Sequence, residues 1–157
     1  MTIAVQFVAS RSFGADLIEL YSHSPYSHVD AVLADGQLLG ARSETIGKIP
    51  PGVQVRPADY EAFTVRRRVE LPATDLQATA FFAFLHGQLG KPYDQRAIAA
   101  FASGRDWRTP DAWFCSELVA AAMEAAGIFQ WRLLDVASKI DPGDLALACS
   151  VLVNLGG

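Results

Sequence analysis

The stretch Asp111-Ala112-Trp113-Phe114-Cys115-Ser116-Glu117-Leu118-Val119 sets a cysteine at the head of an apolar, alanine-rich helix. From Cys115 onward, Leu118, Val119, Ala122 and Met123 recur at helical spacing, with Glu117 and Glu124 on the opposite side. Gly127 follows as a left-handed cap. Cys115 therefore tops the apolar stripe in the first turn, where unpaired backbone N–H groups and the helix dipole favour a thiolate. A free cysteine so placed is more often a small buried hydrophobe. The rest of the chain decides between nucleophile and core residue.

Working outward, the segment before this helix opens with an expected strand over Ile3 to Ala9. Ser12 reads as the N-cap of a short helix over Ala15 to Tyr21, and Ser22 to Ser27 as polar loop. His28 to Leu33 and Gln37 to Arg42 read as a hairpin turned by Ala34-Asp35-Gly36. Pro50, Pro51 and Gly52 lead into a short extended piece, Val53 to Val55. Ala62 to Leu71 alternates, with Phe63, Val65, Val69 and Leu71 on one face and Arg67 interrupting it as an edge or active-site position. Asp75 is the expected cap of a helix to Leu89, with Ala78, Phe81, Phe82, Leu85 and Leu89 inward. Gly90-Lys91-Pro92-Tyr93-Asp94 closes it, residues 96 to 102 add a helical turn or two, and 104 to 110 form a loop.

Beyond Gly127 come Phe129-Gln130-Trp131, a short helix near 133 to 138, a turn at Asp141-Pro142-Gly143-Asp144, and a last strand over Leu145 to Leu155. The expected class is α+β, a small antiparallel sheet with helices packed on its face, in one domain over 1–157.

Composition excludes several functions. Half of the 157 residues are hydrophobic and 19% are charged, so the chain is globular with a large core. A net charge of −4 argues against an electrostatic nucleic-acid binder, and Arg66-Arg67-Arg68 is too short to reverse that. Cys115 and Cys149 form neither a disulfide framework nor a zinc spacing, so no metal and no cofactor are expected. Cys149, in the apolar last segment, reads as buried and inert. No stretch has the ~20 continuous apolar residues of a membrane span. Met1 to Val8 lacks the basic region of a signal peptide. A cytoplasmic protein is expected, with delivery elsewhere by phage or secretion machinery as the route outside.

A cysteine nucleophile needs a base within hydrogen-bond reach, usually a histidine held by a third polar group. His86 lies on the wet side of an apolar helix and reads as structural or exposed; His23 is in a loop. His28 opens a strand beside a polar loop, where rigid geometry fixes the ring.

Four pieces together, Pro25-Tyr26-Ser27-His28-Val29, Gly90-Lys91-Pro92-Tyr93-Asp94, Phe114-Cys115-Ser116-Glu117-Leu118-Val119 and Pro142-Gly143-Asp144-Leu145, resemble the circularly permuted branch of the NlpC/P60 papain-like superfamily. That branch includes the YiiX-like proteins and, more distantly, the lecithin:retinol acyltransferase group. In it the histidine precedes the cysteine, as here. The resemblance implies a permuted papain-like fold, Cys115 as nucleophile at a helix N-terminus and His28 as general base on the sheet. It places Tyr93 near the cleft, with a packing aromatic as the other reading. Tyr26, Trp113 and Phe114 line the cleft or belong to the core. Ser116 and Glu117 match the family motif and are assigned to capping and the polar helix face.

One position departs from the family. The third polar residue is expected on the strand paired with that of His28, about a dozen residues on, and the count lands on Gly40. Arg42 and Glu44 are the nearest polar alternatives, and a backbone carbonyl or a water is the other source of orientation for His28. The implied activity is a cysteine hydrolase cleaving an amide of a cell-wall peptide, or a lipid ester or amide, through a Cys115 acyl-enzyme. The alternatives are an acyltransferase of the same fold and a catalytically silent binding or assembly module.

Overall fold

Strand β1 (Thr2–Ala9) is the axis of a five-stranded antiparallel sheet, flanked on one side by β2 (His28–Val32) and on the other by β5 (Val65–Pro72). Beyond β2 come β3 (Leu38–Arg42) and β4 (Gly52–Arg56), giving the order β4-β3-β2-β1-β5. Three longer helices complete the described residues: α1 (Asp75–Gly87), α2 (Cys115–Ala125) and α3 (Pro142–Leu155). This computed structural model describes residues 1–9, 23–97, 111–129 and 140–155. The expected Ser12 cap and the helix over Ala15–Tyr21, residues 98 to 110, Trp131 and the helix near 133 to 138 lie outside them.

The hairpin closes as its sequence predicts. Gly36 takes φ +83°, and the Leu33 N–H donates to the Gln37 carbonyl at 2.8 Å across the three-residue loop. Residues of one parity, Ile3, Val5, Phe7, Val29, Ala31, Leu39, Ala41, Val53, Val69 and Leu71, face the helices and share one core with them. Helix α2 packs over β2 and β3, α1 packs on α2, and α3 covers β5. Gly127 is the left-handed cap of α2: its N–H donates to the Glu124 carbonyl (2.9 Å) and that of Ile128 to the Met123 carbonyl (2.9 Å), a Schellman closure.

Several expectations are corrected. The segment Leu145 to Leu155 is helical, within α3, and not a strand. An almost continuously apolar run cannot separate the two periods. What decides it stands just upstream: Asp141 is an N-cap, its Oδ1 accepting the Asp144 N–H at 2.8 Å, and Pro142 occupies the first helical position. Leu145, Ala146 and Cys149 then face inward, while Leu147 and Val151 are exposed. Cys149 is buried as expected, but on a helix.

Helix α1 is capped by Thr74 rather than Asp75, through a capping box with Gln77, and it ends before Leu89, which is exposed. Strand β5 starts at Val65, so Phe63 lies outside it. Arg67, on the helix-facing side at the sheet edge, donates to Ser150 Oγ of α3 at 3.3 Å.

Candidate active site

The head of α2 is held from three directions. Glu117 Oε2 accepts the Phe114 N–H at 3.3 Å, so Glu117 does cap the helix, but it is buried and not on a wet face. Ser116 Oγ–H donates to the Ile140 carbonyl at 2.6 Å, tying the turn to the approach of α3. The Gly90-to-Asp94 segment supplies the third tie. Gly90 and Lys91 pair with Val53 on the edge of β4 (2.9 and 2.8 Å), and Pro92 and Asp94 pair with Trp113 (3.0 Å each). Gly52 makes that approach possible, because a side chain there would meet the Lys91 carbonyl. At the far end, Gly143 at the start of α3 lies so close to Ser24 that a Cβ would fall 2.7 Å from its Oγ.

Cys115 is fully buried. Burial pushes its thiol up to about 12, against hydrogen bonds from the backbone N–H groups of Val29 and Ser116 that pull it down. Removal from water thus opposes the helix terminus at this thiol. The Val29 contact locates the sulfur. The β2–β3 ladder runs through Val32↔Leu38 and Ala31↔Leu39. Val29 lies beyond it, directly after His28, and gives its N–H to the thiol.

His28 is also buried, on a strand parity that points away from the core of the helices, with Asp30 and Val32. Its Nε2 lies 3.0 Å from Asp30 Oδ1 and 2.9 Å from an Arg56 guanidinium nitrogen. That guanidinium nitrogen also donates to Asp30 Oδ1, while its other terminal nitrogen donates to the Gly40 carbonyl at 3.3 Å. Arg56 is completely buried. The guanidinium, helped by His28, holds the Asp30 carboxyl well below the usual carboxylate range despite burial. Burial is the main cause that lowers His28 below 6.5; Asp30 opposes it, and Arg42 and Arg56 add to it. Next to them Arg42 is buried and paired with Glu44 and Glu61, and both guanidiniums lie over the Tyr60 ring, at 5.0 and 4.9 Å from its centroid.

Of the expected site residues, Cys115 lies against the N–H of Val29, the residue after His28 at the start of β2, while the His28 ring is on the other strand parity with Asp30. Tyr93 is close to Cys115: its phenol is pushed well above 10.0 by burial and then by Cys115, and its ring packs on Phe114 at 5.8 Å. Trp113 packs edge-on to Phe84 and donates to Gln88 Oε1 at 3.1 Å, and Tyr26 packs on Phe7 at 5.5 Å, so both serve the packing. His23 and His86 are exposed. Gly40 is where the count put it, with no side chain. At the Nε2 of His28 stands a side chain that sequence reasoning passed over, Asp30. The signal was local, since residues two apart on a strand share a face. Arg56, from β4, carried no such signal.

The architecture is thus that of an α+β protein with a cysteine-headed helix laid over an antiparallel sheet. No known family profile matches the chain, and no curated protein does. Among solved structures it is similar to YiiX of Escherichia coli O157:H7, a metalloprotein (DUF1105), with 22% identity, a TM-score of 0.55, and coverage of 82% of this chain and 67% of that one. The likeness is one of fold. Among the described residues no group of three His, Cys, Asp or Glu side chains gathers as metal ligands, and no helix is long and apolar enough to cross a membrane.

Proposed function

We propose that the chain is a cysteine hydrolase of the permuted NlpC/P60 papain-like type, acting on a cell-wall peptide amide or on a lipid ester or amide. What supports this is that the Cys115 thiol takes the N–H of Val29, the residue next to the buried His28, whose Nε2 faces Asp30. With Nε2 engaged by Asp30, Nδ1 is the nitrogen open to a thiol. His28 takes the Cys115 proton as sulfur attacks the carbonyl carbon, and the leaving amine or alcohol departs with that proton. Water then attacks the thioester, releasing the acid and returning the proton to sulfur. Cys115 is the first residue of α2, and its N–H, one of those the helix leaves without an intrahelical partner, is the donor this reading assigns to the oxyanion. An acyltransferase shares the first half and differs in the acceptor.

A second reading, a silent binding module on the same fold, is favoured by one observation. Cys115 is wholly buried, its thiol pushed up to about 12. The test is the rate of Cys115 alkylation by iodoacetamide from about pH 4 to pH 10, in wild type and His28→Ala, with Cys149 as internal reference. A hydrolase alkylates at Cys115 faster than at Cys149 near neutral pH and loses that advantage in His28→Ala. Equal, slow reaction at both cysteines in both proteins identifies the silent module.

A further inference from the structure

Asp30 and Gly40 divide between them the two things this site needs, a carboxylate and the space to hold it. Carrying the Ala31↔Leu39 register one residue on sets Asp30 opposite Gly40 on the face that holds His28. A Cβ on Gly40 would fall inside the Asp30 carboxylate. The bare backbone of β3 is therefore where the side chain from β2 lies. On the same cross-strand row stand Gln6 of β1, opposite Asp30, and Gln54 of β4, opposite Gly40, both buried.

We propose that Asp30 is the positioning residue of His28: its carboxylate, lying across Gly40, accepts the Nε2–H and so leaves the Nδ1 lone pair for the Cys115 thiol. This rests on the hydrolase reading, in which His28 is the base. The polar role that the family resemblance assigns to β3 is thereby filled from the histidine's own strand.

The two polar neighbours of Nε2 ask for opposite tautomers. An ionised carboxylate only accepts, so Asp30 requires a proton on Nε2. A guanidinium only donates, so Arg56 would bind an Nε2 lone pair and send the proton to Nδ1, where His28 is no base toward sulfur. Arg56 has other acceptors in reach, the Asp30 carboxylate and the Gly40 carbonyl at 3.3 Å. For Asp30, the Nε2–H is the second donor on the oxygen that Arg56 already holds. Arg56 therefore fixes the carboxylate in its ionised form, and the carboxylate selects the tautomer. Among the described residues the other charged group facing His28 is Arg42 of β3, neutralised by Glu44 and Glu61; the β1 neighbour is Val8, and Cys115 lies at the head of α2 beside Val29.

The test reads the tautomer directly, by long-range proton–nitrogen correlation NMR of His28 in the ¹⁵N-labelled chain. Wild type is expected to carry its proton on Nε2. Asp30→Asn is expected to move it to Nδ1, as loss of the charge does in a serine-protease triad, and to slow Cys115 alkylation near neutral pH by about 10²-fold. The transplant Asp30→Gly with Gly40→Asp, which delivers the carboxylate from the opposite strand, is expected to restore the Nε2–H tautomer and most of the alkylation rate. A wild-type His28 protonated on Nδ1, which needs no variant to observe, overturns the proposal, as does an unchanged tautomer in Asp30→Asn. If the tautomer behaves as expected but His28→Ala leaves Cys115 alkylation untouched, the hydrolase reading fails and the assignment of Asp30 to the tautomer stands.

Discussion

The two faces of the sheet are both buried around β2 and β3, yet they are built from opposite materials. Toward the helices, Val29, Ala31, Leu39 and Ala41 meet Leu118, Val119 and Met123, and the face is carbon. On the other side, the same strands present His28, Asp30 and Arg42, joined by Gln54 and Arg56 from β4, and the face is charge. The apolar face stabilises by taking surface out of water. The polar face contributes by geometry: each ion lost from water is tolerated because a partner stands against it. One face thus holds the fold together, while the other holds a histidine in place.

The largest expected effect breaks the polar face. Arg56→Ala leaves the Asp30 carboxylate buried without its cation and should cost about 3–5 kcal/mol, measured by urea unfolding. Combining Asp30→Leu with Arg56→Met should recover most of that loss, because a vanished pair leaves no orphaned charge. A single variant as stable as wild type would mean that the pair does not organise this face. On the carbon face, Leu118→Ala should cost about 2–5 kcal/mol as a cavity, and no second substitution across the sheet should rescue it. Gly40→Ala drives a methyl into the Asp30 carboxylate and should cost about 1–3 kcal/mol. Adding Asp30→Gly should relieve the clash, which a packing role for Gly40 unrelated to Asp30 would not predict.

Titration separates the faces more gently. His28 and Asp30 both sit below their ordinary values in the folded protein, so the unfolded chain takes up protons first on acidification. Their contributions are present above about pH 6.5 and are lost as pH falls through the His28 and then the Asp30 range. Cys115 and Cys149 are raised from 9.0 to about 12, so the unfolded chain ionises first and stability falls as pH climbs through that interval. The stability maximum should therefore lie between these limits, with slopes of at most about 1.4 kcal/mol per pH unit for each group. Replacing His28 should flatten only the acid limb. Smallest of all, Thr74→Ala, far from either face's centre, should cost about 1 kcal/mol through loss of the α1 cap.

Much of this was written along the chain. The alternation in β5, the Asp35-Gly36 turn, the stripe of α2 and its Gly127 cap are local patterns, and each was legible because the physics behind it spans a few residues. The last helix was misread because its apolar run is ambiguous in period, although Asp141-Pro142 marked its start. Glu117 was assigned to capping correctly and to a wet face incorrectly: helical spacing says which side a residue is on, not what comes to cover that side.

By itself, then, the sequence determined an α+β chain, a cysteine at a helix head and a histidine at a strand head, because propensity, capping and alternation act between near neighbours. Only the tertiary structure decided that the thiol is buried, that Arg56 crosses from β4 to Asp30, and that Gly40 is empty so that Asp30 can lie over it. Those depend on strand register and desolvation, which bring together residues far apart in the chain and which no local spacing encodes.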